Sequence, residues 1–230
     1  MDRTDATSTV LEQQYQAAKR LYTAHGSDAE LDQAAQQFAA LGDYGRAPWY
    51  LARCMTLKQF AEGNTVAFGQ WNGQPVFWRV LERRGKLRLL HATQLVTQRA
   101  YNDQRMDVNW SRCSLRQWLG HDFIEQAFTR EERSQLVASP VQAAENPDYS
   151  TPGGPDSMDK VFIFGVDELQ KYYPADSDRA LGDWWWARTP GNNLVSAVGV
   201  YPDGSLYIPG ININYGDGGV RPAMWILLKA

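Results

Sequence analysis

The side chains best suited to nucleophilic or metal chemistry are two cysteines, Cys54 and Cys113, and three histidines, His25, His91 and His121. Their spacing offers neither. The histidines fall on three separate elements, and no two stand at the short intervals that place imidazoles around one ion. Asn212, Asn214 and Asp217 could give a calcium ion at most three oxygens, where six to eight are wanted. No Gly-x-Ser-x-Gly elbow is present to expose a serine nucleophile. Gly216-Asp217-Gly218-Gly219 does not lead into a helix and makes a poor phosphate cradle. Glu131-Glu132 and Asp176/Asp178 read as solvated charge. The expectation is a protein with no catalytic residue, no metal and no cofactor.

Bulk properties narrow the remaining classes. The chain has 230 residues, 43% hydrophobic and 12% aromatic, enough for one sizeable core or a core with a small satellite. Its 23 Lys and Arg face 26 Asp and Glu with no basic stripe, so a nucleic-acid partner is not expected. No stretch reaches the roughly 20 apolar residues that span a bilayer, and MDRTDATSTV lacks the layout of a secretory signal. Two cysteines are too few for a disulfide scaffold and are expected to be buried thiols. These features point to a cytoplasmic address.

The pattern of elements predicts an α+β fold in two parts, a helical segment over 1–62 and a larger domain over 63–230. Leu11, Tyr15, Ala18 and Leu21-Tyr22 recur at helical spacing, and Ser27-Asp28 caps a second run through Leu31, Ala34, Ala35, Phe38 and Leu41. Gly42 sits where a helix end wants positive φ, and a third run follows through Trp49, Leu51, Cys54 and Phe60. A single helix pair cannot bury both its faces, so this segment is expected to pack on the rest of the chain or on another subunit. From Thr65 the sequence changes to short β-branched and aromatic runs, with Asn72-Gly73 as a two-residue hairpin turn. Residues 114–138 return to helix, with Thr129 capping a final turn. Residues 139–159, with four prolines, read as a long surface loop.

The C-terminal stretch 183–228 holds four of the nine tryptophans, abundant glycine, and only Arg188 and Arg221 as basic residues. Short strands and tight turns are expected there. Pro202-Asp203-Gly204 suits a three-residue loop that pairs Tyr201 with Ser205, Val200 with Leu206 and Val198 with Ile208. A two-residue loop would set Val200 opposite Tyr207 and mix the faces. The longer loop gathers Val198, Val200, Leu206 and Ile208 on one side, with Ile211 and Ile213 continuing the alternation. The other side then displays Tyr201, Ser205, Tyr207, Asn212 and Asn214, followed by Tyr215 and Asp217 on a turn, with Asn192-Asn193 just before the first strand. Tyrosine and asparagine on rigid strands supply broad contact at low entropy cost and adaptable hydrogen bonds. Trp184 and Trp186 are expected on one face of a strand and Trp185 on the other, while Asp183 and Asp203 are candidate partners for Arg188 and Arg221.

Three stretches carry a family resemblance: FGQWNGQPVFWRVLE, WSRCSLRQWLGHDFIEQAFTREERSQL, and DWWWARTPG followed by GGVRPAMWI. Together they span about residues 65–228 and resemble a bacterial domain family of unknown function. That family is built on the C-type-lectin-like fold also used by formylglycine-generating enzymes. The resemblance implies short twisted antiparallel strands with flanking helices. Similar domains serve as variable proteins of diversity-generating retroelements, in which a hypervariable C-terminal patch on a constant scaffold binds diverse ligands. The stretch AAQQFAALGDYGRAPWYLARC resembles one tetratricopeptide-type hairpin. The cysteine pair that formylglycine-generating enzymes carry near the C-terminal cleft has no counterpart, since both cysteines precede residue 114.

These readings give a non-catalytic recognition module that binds a protein or cell-surface ligand through Asn192, Asn193, Tyr201, Tyr207, Asn212, Asn214, Tyr215 and Asp217. Two alternatives stand beside it. One is an enzyme related to formylglycine-generating enzymes with an atypical site. The other is an assembly protein that self-associates or docks a partner through residues 1–62.

Overall fold

A computed structural model describes residues 3–229, with side chains from Ser8 onward. Three helices come first: α1 (Arg3–Ala24), α2 (Asp28–Ala40) and α3 (Ala47–Lys58). Ser27 caps α2 as its sequence predicts, its hydroxyl accepting from the Glu30 N–H while the Glu30 carboxylate accepts from the Ser27 N–H. Gly42 takes φ +53° just past the helix. Tyr15, Tyr22, Phe38 and Tyr50 form the core of this unit, with Phe38 stacked on Tyr50 at 4.9 Å.

The rest of the chain is mixed α+β. In order come β1 (Thr65–Trp71), β2 (Gln74–Arg84), β3 (Leu87–Ala92), β4 (Thr97–Gln98), α4 (Ser114–Trp118), α5 (Ile124–Ala127) and α6 (Arg130–Arg133). Then follow β5 (Leu136–Val137), β6 (Ser139–Val141), β7 (Ser157–Asp159), β8 (Val161–Ile163), α7 (Val166–Tyr172) and α8 (Asp176–Arg179). The C-terminal run supplies β9 (Trp185–Pro190), β10 (Ser196–Val200), β11 (Leu206–Asn212), β12 (Gly219–Val220) and β13 (Pro222–Leu227). Two sheets result. The first runs β1-β2-β3-β13-β5, with β8 also paired to β13. The second runs β11-β10-β9-β12-β4. Neighbours are antiparallel throughout except for the parallel pair β9 and β12. Asn72 and Gly73 both adopt positive φ in the turn that joins β1 to β2, as expected.

The core lies between the sheets and under the helices. Trp78, Trp110, Trp185 and Trp186 are fully buried there. So is His91, which stacks on Phe164 at 4.2 Å and contacts the Tyr173 hydroxyl at 2.8 Å. Burial, followed by the nearby charge of Arg221, pushes its pKa well down and keeps the ring neutral. Cys54 and Cys113 are buried thiols, as expected. The helical unit joins the sheet through two arginines that flank the β2–β3 turn. Arg83 pairs with Asp28 and donates to the His25 carbonyl at 2.9 Å. Arg88, almost wholly buried, donates to the Phe60 carbonyl at 2.7 Å. No helix among the described residues is long and apolar enough to cross a membrane.

Two expectations need correction. Residues 139–159 are not a free surface loop: their ends pair as β6 and β7, and Asn146 is buried in between. Its amide donates to the Pro190 carbonyl at 2.8 Å and the Ile208 carbonyl at 2.9 Å, and its oxygen accepts from the N–H groups of Asp148 and Tyr149. Four backbone groups on three segments thus converge on one side chain. Arg188 and Arg221 also avoid the predicted carboxylates. Arg188 pairs with Glu168 at 2.8 Å and donates to the Ile163 and Gln142 carbonyls. Arg221 donates to the Ala92 carbonyl and lies over the rings of Tyr173 and Trp185. Asp183 and Asp203 pair with neither guanidinium, and Nη1 of Arg221 stays buried without a hydrogen-bond partner among the described residues.

Asn146→Ala removes the donors to the buried Pro190 carbonyl and the part-buried Ile208 carbonyl, and the unfolding free energy should fall by ~2–4 kcal/mol in urea titration. Asn146→Asp keeps the acceptor but loses both donors, so a loss at least as large is expected from it.

Candidate ligand-binding surface

The β10–β11 hairpin carries three of the eight predicted contact residues, Tyr201, Tyr207 and Asn212, and the other five lie on the turns at its base. Near its tip the predicted register holds: Val200 opposes Leu206, Gly199 opposes Tyr207, and the Tyr201 N–H donates to the Ser205 carbonyl at 2.9 Å. Asp203 completes the turn by accepting from the Ser205 N–H at 3.0 Å and the Ser205 hydroxyl at 2.7 Å. The backbone bond, reinforced by the hydroxyl, lowers its pKa. Gly204 has φ +89°, and a Cβ there would lie 1.8 Å from the Asp176 carbonyl oxygen. The Gly204 carbonyl in turn accepts from Arg179 at 2.8 Å. The tip is therefore docked on α8.

Beyond Tyr207 the register departs from simple alternation. Ala197 opposes Ile211 and Ser196 opposes Asn212, so three residues, Ile208, Pro209 and Gly210, stand against the single Val198. β9 does the same on the other side, with Ala197 opposite Pro190 and Gly199 opposite Trp186. Directly opposed residues share a face, so Ile211 falls on the side of Ala197, Gly199 and Tyr207. Its Cδ1 would lie 2.5 Å from a Cβ on Gly199. Asn212 goes with Ser196 to the other side. The continuous aliphatic and polar faces read from sequence are thus interrupted by a two-residue bulge, with Gly210 at φ +87°.

The eight candidates form separate groups. Tyr201 and Tyr207 pair at the tip with ring centroids 5.2 Å apart, each 36% exposed. At the far end of the hairpin, roughly 13 Å away by strand rise, the Asn212 amide donates to the Tyr215 hydroxyl at 3.2 Å. Asn193 caps its own turn by accepting from the Val195 N–H, and its amide donates to Asn192, which also accepts from the Ser196 hydroxyl. Asn214, Tyr215 and Asp217 are exposed on the turn that follows. Trp184 and Trp186 back this region, meeting edge to face at 4.7 Å. Trp185 and Trp186 are both core, and Trp184 is half-buried.

A second feature was not anticipated. A cavity of about 360 Å³ on the first sheet is lined by Leu87, Leu89, Val137, Trp225, Tyr172 and Arg84, among others, and by none of the eight candidates. Beside it, Glu82 accepts from Arg84 at 2.5 Å, from Lys171 at 3.0 Å and from the Tyr172 hydroxyl. Partial burial acts to raise the Glu82 pKa, but the hydrogen bonds from Tyr172, Arg84 and Lys171 outweigh it and hold the carboxyl at about 2. The alternation of Glu82 and Arg84 along β2 puts both on one face. That α7 lies over that face depends on chain tracing no local pattern encodes.

Gly204→Ala should cost ~3 kcal/mol or more in a denaturant titration, combining positive φ with a backbone collision. Gly216→Ala, where a Cβ meets nothing within 4 Å, should change stability by less than ~0.5 kcal/mol.

No curated protein and no solved structure matches this chain. A family described as a domain of unknown function, DUF6273, matches residues 85–228, from the β2–β3 turn through β13. The matched region takes in the whole second sheet and every candidate contact residue but starts later than Thr65, leaving β1 and β2 outside it. On that match over more than half its length, the chain belongs to the DUF6273 family.

Proposed function

We propose that this protein is a non-catalytic recognition module of C-type-lectin-like fold that binds a protein or cell-surface ligand through its C-terminal hairpin and the turns beside it. The observation that carries this reading is the Tyr201–Tyr207 pair. Two large amphipathic rings stand 36% exposed on a hairpin whose tip is held by Arg179 and by close backbone contact with α8. Aromatic anchors on a rigid support lose little freedom on binding and dominate interface energies. The exposed Asn192, Asn193, Asn214, Tyr215 and Asp217 extend the surface without a lysine or arginine.

The fold reading draws support from the closing strand, since β13 returns to pair with β3 while residues 185–220 build a separate sheet. A passive role fits the cysteines. Burial pushes the Cys113 thiol up to about 12 and the Cys54 thiol up to about 11, and thiols so poorly ionised at neutral pH make weak nucleophiles. A place among variable proteins of diversity-generating retroelements fits the Asn, Tyr, Ser and Asp content of the stretch between Gly191 and Gly219.

Photocrosslinking tests the surface. With p-benzoylphenylalanine in place of Tyr207, a specific adduct should form that the same label at exposed Met158 does not give. Joint replacement of Tyr201 and Tyr207 by serine should weaken binding of the captured ligand by ~30-fold or more. Equal adducts at both positions, or binding unaltered by the double change in a folded protein, would remove the proposal. Among near-identical gene copies, substitutions concentrated at exposed positions of 192–217 support the hypervariable reading, and evenly scattered ones end it.

A further inference from the structure

The cavity on the first sheet is a built pocket with a directional charge. Leu89 opposes Trp225 and Trp225 opposes Val137 across adjacent strands, giving an apolar floor, and Tyr172 and Lys171 of α7 form one wall. Its volume of about 360 Å³ suits a small ligand. A second cavity of about 330 Å³ shares Arg84, Pro140 and Glu168 with it, so Arg84 stands where the two meet.

The carboxylates that border the pocket are already engaged. Glu82 holds three donors, and Glu168 holds Arg188 at 2.8 Å and the Gly165 N–H at 2.7 Å. Asp167 lines only the second cavity. Arg84 is different. Its guanidinium lies 4.9 Å from the centre of the Trp225 ring, its Nε is bonded to Glu82, and its two terminal nitrogens have no partner among the described residues. The side chain is 62% exposed at the pocket mouth. A guanidinium oriented by an aromatic face and a carboxylate, with its fork free, matches an incoming carboxylate in bidentate geometry.

We infer that this pocket binds a small organic acid with an aromatic or alkyl body. The body seats against Trp225, Leu87, Leu89 and Val137, and the carboxylate pairs with the terminal nitrogens of Arg84. This site is independent of the hairpin surface and can stand or fall without it.

The test is an NMR titration of the full ¹⁵N-labelled chain with 4-phenylbutyrate, using 4-phenyl-1-butanol as the neutral counterpart. Saturable shifts below about 10 mM should centre on the Trp225 indole N–H, assigned with Trp225→Phe, and on the amides of Leu87, Val137 and Tyr172. Arg84→Gln should weaken the acid at least ~10-fold and leave the alcohol unchanged, while Arg84→Lys should retain part of the affinity. Val137→Trp, checked for folding by circular dichroism, should abolish both. If that variant does not fold, the arginine pair still decides the matter. No localised shifts with the acid, equal affinity for acid and alcohol, or an Arg84→Gln protein that binds the acid normally would each overturn the assignment.

Discussion

The second sheet depends on satisfying the backbone groups released where β9 and β11 both bulge around Val198. Three residues stand against one on each side, and a bulge of that size breaks the ladder in a region where β9 and β10 are fully buried. Unpaired amides there would cost several kcal/mol in total. The chain answers with groups from elsewhere. Asn146 supplies donors to Pro190 and Ile208, the Arg188 N–H bonds the Phe164 carbonyl, and the Tyr101 hydroxyl donates to the Arg188 carbonyl. The Asn192 N–H bonds the Pro209 carbonyl. The segment over 139–159 is thereby part of the sheet's hydrogen bonding, though it contributes no strand to that sheet.

The same bulge shapes the proposed contact surface. It brings Ile211 over Gly199 and turns Asn212 away from Tyr207, so the hairpin offers an aromatic group at its tip and an amide-rich group at its base. A hairpin of this length would be marginal alone. Here it is held at the tip by α8, in the middle by Asn146 and at the base by bonds from the Val108 N–H to the Leu194 carbonyl and from the Asn102 N–H to the Ile213 carbonyl. Such support lets side chains on its outer surface change without loss of the backbone that carries them.

How much of this was legible in the sequence depended on how local each cause is. Ser27, Thr129, Asn72-Gly73 and Pro202-Asp203-Gly204 all behave as expected, because a cap or tight turn is decided by a few neighbouring residues. The burial of both cysteines followed from residue type. The bulge was signalled only by Pro209-Gly210, which interrupts the alternation without saying how many residues are inserted. The seating of 139–159 was hidden because its anchor, Asn146, looks like any loop asparagine until Pro190 and Ile208 arrive beside it. Arg188 meets the distant Glu168 and two carbonyls, and Arg221 meets the Ala92 carbonyl and two ring faces, partners that only the assembled fold brings near them. The pocket at Trp225 escaped for a similar reason, since it needs β2, β3, β5, β13 and α7 at once.

The arginine clamp at the β2–β3 turn has a geometric consequence for the helical unit. A unit tethered only by the strand-leading segment near Gly63 could swivel about that one point. Arg83 and Arg88 add two further points, one on each strand leaving the turn, reaching His25, Asp28 and Phe60 across the helices. With the bond from Arg53 of α3 to the Lys229 carbonyl, these attachments restrict rotation of the helices, so the helical unit forms a handle of set orientation. Any load on the helices is therefore carried into β2 and β3 as well as into the segment near Gly63.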